Sequence, residues 1–248
     1  MAKVWLIGAG PGAADLITVR GMRVLQQADV VLYDALVQPE MLEFCPQAEL
    51  IAVGKRCHKH SHSQSFINKR IIDAAHKYQR VVRLKGGDPM LFGRAQEEID
   101  ALNAAGIEYE VVPGITAALA ASADLGISLT SRGVSRNVVF ATARIGEGEG
   151  ANDWINVVRA ADTAVLYMGV KQADLIAAAL LAAGMKASTT ICIVEGASLQ
   201  SSRQFTMTLA ELPQAASWQL DGPAILLVGD VFAARQAVGA QEAERLTA

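Results

Sequence analysis

The chain has 248 residues, 52% of them hydrophobic and 19% charged, and a formal net charge of -3 at pH 7. A chain of this length buries about 70–75% of the surface its unfolded form exposes, so a core needs neither disulfides nor a structural metal, and the composition excludes a disordered protein. The balance of 22 basic against 25 acidic side chains excludes the global positive field that non-specific nucleic-acid binding needs, so a polyanionic partner must be met by a local patch and no nucleic acid is expected.

The first apolar run, from Val4, is broken at once by Gly8-Ala9-Gly10-Pro11-Gly12, unlike the uninterrupted core of a secretory signal. The longest stretch without a charged residue, Val111 to Ala123, has 13 residues, against the roughly 20 that span a bilayer. Three cysteines, Cys45, Cys57 and Cys192, form no CxxC pair, which argues for a reducing compartment. These features read as a soluble, cytoplasmic protein with no membrane partner.

Taken in chain order, short Val/Ile/Leu-rich runs alternate with segments of helical period. Strands are expected at residues 4–7, 30–33, 50–53, 81–84, 109–112, 138–141, 164–167, 190–194, 204–208 and 224–228. Between them, Phe66, Ile67, Ile71, Ala74, Ala75 and Tyr78 fall on one helical face opposite Lys69, Asp73 and Lys77. A second helix from Ala95 to Ala105 turns Ile99 and Leu102 inward and stops at Gly106. The pattern predicts an α/β protein with mostly parallel sheets. It divides best at Val112-Pro113-Gly114, where the residue before proline is pushed out of helical geometry. Two α/β domains follow, residues 1–112 and 113–248.

Gly8-Ala9-Gly10-Pro11-Gly12-Ala13, directly after a strand and with Asp34 about 20 residues on, satisfies a dinucleotide fingerprint on paper. Pro11, however, lacks the N–H that a pyrophosphate wants from such a turn. A nucleotide-type cofactor, a specific NAD(P) site and a plain strand-to-helix turn all remain open at this point. Arg83-Leu84-Lys85-Gly86-Gly87-Asp88-Pro89 again follows a strand, and its paired glycines admit a polar ligand to the main chain or simply make a turn. Val112-Pro113-Gly114-Ile115-Thr116-Ala117 follows the next strand, with Thr116 a helix cap or a ligand contact. In a parallel architecture these three turns gather at one sheet edge.

Two acid-free stretches supply local positive charge. Between Glu49 and Asp73 lie Lys55, Arg56, Lys59, Lys69 and Arg70 with His58, His60 and His62, and between Asp124 and Glu147 lie Arg132, Arg136 and Arg144. They suit a compact polyanion or are solvated loops without a partner. The Cys57–His62 run has no tetrahedral ligand spacing and is crowded by cations, so no metal is expected.

Together the motifs Ile7 to Gly12, Leu32-Tyr33-Asp34, Val53-Gly54-Lys55-Arg56, Val81 to Pro89 with Phe92-Gly93-Arg94, Val111 to Ala117, Leu129-Thr130, Tyr167-Met168-Gly169 and Pro223-Ala224 resemble the tetrapyrrole methylase family over essentially the whole chain. The resemblance implies a fold distinct from the usual Rossmann methyltransferase, with the active site in the cleft between two domains, a homodimer, and S-adenosylmethionine in place of NAD. It further implies methylation of uroporphyrinogen III at two ring carbons, through precorrin-1 to precorrin-2, toward sirohaem and cobalamin. Residue by residue it implies Asp34 as base and Lys55 as acid or carboxylate anchor. For the cofactor it implies Pro11, Gly86, Gly87, Asp88, Leu91, Thr116, Ala117, Met168 and Ala197, with Pro223 and Ala224 beside them. Ala35 stands where the family commonly has arginine, Ala13 where aspartate and Ala197 where glycine is frequent. The first keeps open a paralogue acting on a later precorrin, and a dinucleotide-dependent oxidoreductase is the alternative from another class.

Overall fold

The computed structural model describes residues 2–54, 64–144, 152–220 and 222–233. The chain divides into two compact units, Met1–Ala117 and Ala118–Ala248. All ten strands expected from the sequence are present, and the alternating α/β architecture is borne out in both units.

In the first unit β1 (Lys3–Gly8), β2 (Val30–Tyr33), β3 (Glu49–Ala52), β4 (Arg80–Lys85) and β5 (Glu108–Val112) form one sheet in the order β3-β2-β4-β1-β5. Every pairing in it is parallel. A parallel sheet must be covered on both faces, and the two side-chain sets of each strand go to different cores. Val4, Leu6, Val30, Leu32 and Val81 pack with Ile71, Ala74 and Ala75 of α3 (Gln64–Lys77) and with Ile99 and Leu102 of α4 (Ala95–Ala104). Ile7, Val31, Val82 and Leu84 pack on the other side with Leu25 of α1 (Val19–Leu25) and Met41 of α2 (Pro39–Leu42). Phe66, expected inward on α3, is exposed; the buried stripe begins one turn later, at Ile71.

The second unit contains α5 (Ala117–Leu125, beginning one residue before it), β6 (Val138–Thr142), α6 (Trp154–Ala160), β7 (Thr163–Tyr167), α7 (Ala173–Ala182), β8 (Thr190–Glu195), β9 (Arg203–Thr208) and β10 (Ala224–Gly229). The strand order is β6-β7-β10-β8-β9. Here the expectation of a mostly parallel sheet is corrected: only β6 and β7 pair in parallel, while β10 runs antiparallel to both β7 and β8, and β8 antiparallel to β9. A parallel return takes a crossover of about a dozen residues or more. Residues 196–202 are too few for one, so β9 turns back beside β8, whereas residues 209–223, with the 3-10 turn Leu212–Ser217, carry the chain across β8 to β10, which runs parallel to β9. β6, β7 and β8 therefore run one way and β9 and β10 the other. Leu166, Ile176, Leu180, Ile191, Ile193, Leu226 and Leu212 make the core on the α6/α7 side.

In the first unit the C-terminal ends of β1, β4 and β5, adjacent and parallel, bring three glycines into backbone contact. A Cβ added at Gly114 would lie 2.3 Å from the Gly87 carbonyl oxygen and 2.8 Å from Gly8 Cα. One added at Gly8 would lie 2.6 Å from Gly114 Cα and from the Gly87 oxygen. At Gly106, by contrast, the space is open and only the positive φ of +67° opposes a side chain. Gly114→Ala should therefore cost about 1–3 kcal/mol or more by overpacking main chain that cannot rotate away, and more than Gly106→Ala, where about 1–2 kcal/mol of left-handed strain is the whole penalty. Urea unfolding midpoints check this; equal midpoints would refute the crowded junction.

Candidate active site

The first group of candidates hangs on that glycine junction. The turn after β1 and the turn after β4 are tied to each other: Ala9 N donates to the Lys85 carbonyl at 2.7 Å, Gly87 N to the Gly10 carbonyl at 2.7 Å, and Gly10 N back to the Gly87 carbonyl at 3.2 Å. Gly10 and Gly87 have φ of +82° and +68°, which suits residues without a Cβ. Pro11 sits half-buried in the first turn. Asp88 joins the third turn, its Oδ2 accepting from Gly114 N at 2.9 Å while Oδ1 accepts from Met90 N at 2.8 Å. Thr116 and Ala117, both half-buried, follow at the start of α5. The structure thus brings Pro11, Gly86, Gly87, Asp88 and the Gly114–Ala117 segment to one sheet edge, as the motif spacing implied.

Asp34, just past β2, faces the same edge. Its Oδ1 accepts from Leu36 N at 3.0 Å and its Oδ2 from Gly86 N at 3.2 Å, so the carboxylate bridges its own turn and the glycine pair. A quarter of its side chain stays accessible, at 24%, and Arg83 Nη2 lies 3.9 Å from Oδ2. Gly54 packs its main chain against this turn; a Cβ there would lie 2.1 Å from Ala35 N. Lys55 and the His58–His62 run, with Arg56, Lys59 and Cys57, lie outside the described residues.

In the second unit, Met168 follows β7, the Gly196-Ala197-Ser198 turn follows β8, and Pro223 precedes β10. The antiparallel pairing sets Ala224 opposite Glu195 and Ile225 opposite Tyr167, and Gly196 N donates to the Pro223 carbonyl at 2.9 Å. Met168, Ala197, Pro223 and Ala224 are therefore gathered at one edge of this sheet as well. Asp124 at the end of α5 braces the turn, its Oδ2 accepting from Ser198 N at 2.8 Å and Ser202 Oγ at 3.1 Å. Glu195 does the same for the next segment, accepting from Gly222 N at 2.8 Å and from Arg203 Nε at 2.6 Å.

Backbone strain marks the same places. Among the described residues the non-glycine positions with left-handed φ are Phe92 (53°), Arg94 (55°), Met168 (57°) and Ser198 (72°). The first two flank the loop of Leu91, and the others are Met168 itself and the neighbour of Ala197. Strain of this kind costs about 1–3 kcal/mol each and persists where function or packing over-determines the chain. Met168 is also 47% exposed, an apolar side chain held outward at a sheet edge.

The arginines of the second acid-free stretch gather less well than the glycine turns. Arg136 precedes β6 and Arg144 follows it, so they lie at opposite ends of one strand. Of the three arginines in that stretch, Arg144 is the one beside the Met168 edge. A surface groove of about 620 Å³ on the α1 side of the first sheet is lined by Trp5, Arg20, Arg23 and Arg80, and it contains none of the candidate residues. The bridging carboxylates of Asp34 and Asp88 lie instead at the glycine edge. Among the described residues no group of His, Cys, Asp or Glu side chains is gathered as metal ligands, and no helix is long and apolar enough to cross a membrane.

Sequence reasoning passed over one feature at this edge. Arg83 and Lys85 alternate along β4, a strand buried on both faces, and both meet Glu98 in the first turn of α4. Cations at alternate positions of a covered strand require a buried carboxylate, and that was the available signal. Burial, followed by the charge of Arg83, holds the Lys85 ammonium below its usual range, against the pull of Glu98 and Asp34.

Residues 3–213 match the tetrapyrrole (corrin/porphyrin) methylases. This chain belongs to the tetrapyrrole methylase family. It is 46% identical over 230 residues to a uroporphyrinogen-III C-methyltransferase of Pseudomonas aeruginosa, spanning 92% of this chain and 94% of that one. It is 45% identical over 235 residues to a sirohaem synthase of Pseudomonas putida, 94% of this chain but 51% of that protein. The chain thus spans about half the length of the sirohaem synthases it matches. Among solved structures, a uroporphyrin-III C-methyltransferase from Thermus thermophilus superposes with a TM-score of 0.82 at 36% identity, covering 94% of this chain and 100% of that one. The Thermus enzyme has also been solved in complex with S-adenosylhomocysteine.

Proposed function

We propose that this chain is an S-adenosylmethionine-dependent C-methyltransferase that converts uroporphyrinogen III into precorrin-2 by way of precorrin-1, feeding sirohaem and cobalamin synthesis. The observation that carries the reading is the glycine junction at the strand ends, with Asp34 bonded to it, in a chain that shares nearly half its residues with a full-length relative of that name. The cofactor fits the main chain that this edge presents. Gly87 adopts φ of +68° with nothing within 4 Å of where a Cβ would stand, so ligand can approach its backbone.

A sulfonium methyl is electrophilic without a metal, and the pyrrole carbon attacks it in line as the carbon–sulfur bond breaks, so the protein's task is to hold both partners at reacting distance. The methylated ring is cationic until it loses one proton, and Asp34 is assigned as the acceptor. Two main-chain N–H groups hold its carboxylate in place. Lys55 is assigned the complementary role of acid or carboxylate anchor. Pro11, Gly86, Gly87, Asp88, Leu91, Thr116, Ala117, Met168 and Ala197 are assigned to the methyl donor. Met168 supplies a polarizable apolar wall, and Gly87 and Ala117 serve by being small. Arginines and lysines of the acid-free stretches are assigned to the substrate carboxylates. We further assign the protein to the cytoplasm, as a homodimer that takes no metal into the reaction.

The decisive assay gives the purified protein anaerobic uroporphyrinogen III and S-adenosylmethionine and follows mass. Two successive methyl additions are expected; no gain, or a melting temperature raised by NAD+ but not by S-adenosylmethionine, would overturn the assignment. Mass gained by later precorrins alone would keep the reaction and move the substrate. Sedimentation of the same sample should return a dimer at micromolar concentration, and a monomer would remove the homodimer. For the cofactor site, Gly87→Leu should abolish S-adenosylmethionine binding in calorimetry while the circular dichroism spectrum is kept, since the new side chain meets ligand space and costs the fold only about 1–2 kcal/mol of left-handed strain. Wild-type affinity in that variant would contradict the site.

A further inference from the structure

Three charged side chains lie under the Asp34 turn, nearly removed from water: Arg83 and Lys85 keep 4% of their side-chain exposure and Glu98 keeps 1%. Arg83 and Lys85 stand two residues apart on β4 and so project from one face of the sheet, toward α3 and α4. They share a single oxygen. Glu98 Oε1 accepts from Arg83 Nε at 3.0 Å, from Lys85 Nζ at 2.9 Å and from Gln64 Nε2 at 3.4 Å. Glu98 Oε2 is buried and has no hydrogen-bond partner among the described residues. A buried ion cluster with an orphaned oxygen is a poor stabiliser compared with apolar packing of the same volume. Stability alone therefore does not account for it.

Arg83 carries the cluster outward. Its guanidinium is planar, so fixing Nε on Glu98 fixes where the other two nitrogens point. Nη1 donates to the Leu84 carbonyl at 2.9 Å and the Leu32 carbonyl at 3.4 Å, near the ends of β4 and β2. Nη2 faces Asp34 Oδ2 at 3.9 Å, the oxygen that also accepts from Gly86 N. The charges balance as two cations, Arg83 and Lys85, against two carboxylates, Glu98 and Asp34. Gly87, next along the turn, is held separately by its two-bond bridge to Gly10.

We propose that Glu98 is a positioning residue for Asp34: it sets the plane of the Arg83 guanidinium, whose far edge holds the Asp34 carboxylate where the proton must be received. This rests on the methyl-transfer reading above. Because Gly87 has its own anchor, loss of Glu98 falls on turnover rather than on methyl-donor binding.

A double-mutant cycle on Glu98→Gln and Asp34→Asn tests it, with turnover, the Michaelis constant for S-adenosylmethionine and the unfolding midpoint measured for each variant. Asp34→Asn should lower turnover by roughly 10², the scale of a positioned acid or base. Glu98→Gln should lower it by about tenfold or more with the Michaelis constant changed by less than about twofold, and the double variant should be no slower than Asp34→Asn alone, because the two act as one unit. Losses that multiply in the double variant would overturn the proposal while leaving Asp34 as the base. Wild-type turnover in Asp34→Asn would instead remove the reading on which it rests. If Glu98→Gln fails to fold, Glu98→Gln/Lys85→Gln removes one charge of each sign and enters the same cycle; wild-type turnover there would equally overturn the proposal.

Discussion

Three stretches of main chain meet at the C-terminal edge of the first sheet with no side chain between them, and the site is built on that contact. Parallel strands deliver their turns to the same edge, but parallelism alone leaves adjacent turns about 4.8 Å apart in the sheet direction and free to diverge. The absence of a Cβ at Gly8 and Gly114 lets them close on each other and on the Gly87 carbonyl. Once closed, the Gly10–Gly87 bridge, the Asp88–Gly114 bond and the Asp34–Gly86 bond become geometrically possible. Two carboxylates thereby serve as braces for main-chain amides before either meets a ligand. Their hydrogen bonds to N–H groups are charge-assisted, among the stronger bonds available to a backbone turn.

The second unit reaches a similar end by other means. Among the described residues it has no triple-glycine contact; its edge is held by acidic side chains accepting from backbone N–H groups, Asp124 beneath Ser198 and Glu195 beneath Gly222. The residues it displays there, Met168 and Ser198, are left-handed without being glycine. The conformational cost is borne locally and offset by those braces.

Much of this was legible in the sequence, because the signals are local. The strands are mostly short runs rich in Val, Ile and Leu, and the turns after β1, β4 and β5 each carry glycine or proline, so element positions and the gathering of three turns at one edge follow from periodicity and connectivity. The reversal in the second sheet was written in the chain too, in the short spacing between residues 195 and 203, but apolar composition alone does not distinguish parallel from antiparallel neighbours. Glu98 illustrates what local reading misses. In its own helix it looks like one of two adjacent acids, Glu97 and Glu98, in a first turn that favours negative charge. Only the packing of α4 on β4 separates them, sending Glu97 to a surface pair with Arg94 and Glu98 to the interior. Two of the three arginines of the second patch, Arg136 and Arg144, fail to converge for a comparable reason, since an intervening strand carries them to opposite ends.

The strand order of the second sheet bears on how the chain is made. β10 occupies the centre, between β7 and β8, yet it is the last of the five to leave the ribosome. Until residues 224–229 emerge, the β6–β7 pair and the β8–β9 hairpin each present an open edge with no hydrogen-bonded neighbour. Unpaired edges of apolar strands are where nascent chains pair with the wrong partner. In the first sheet β4 holds the corresponding place, central between β2 and β1 and made fourth of the five, so β1 and the β2–β3 pair wait for it with open edges. Synthesis of this protein therefore has a vulnerable interval in each half, and the second ends when a single six-residue strand slots between two preformed pairs.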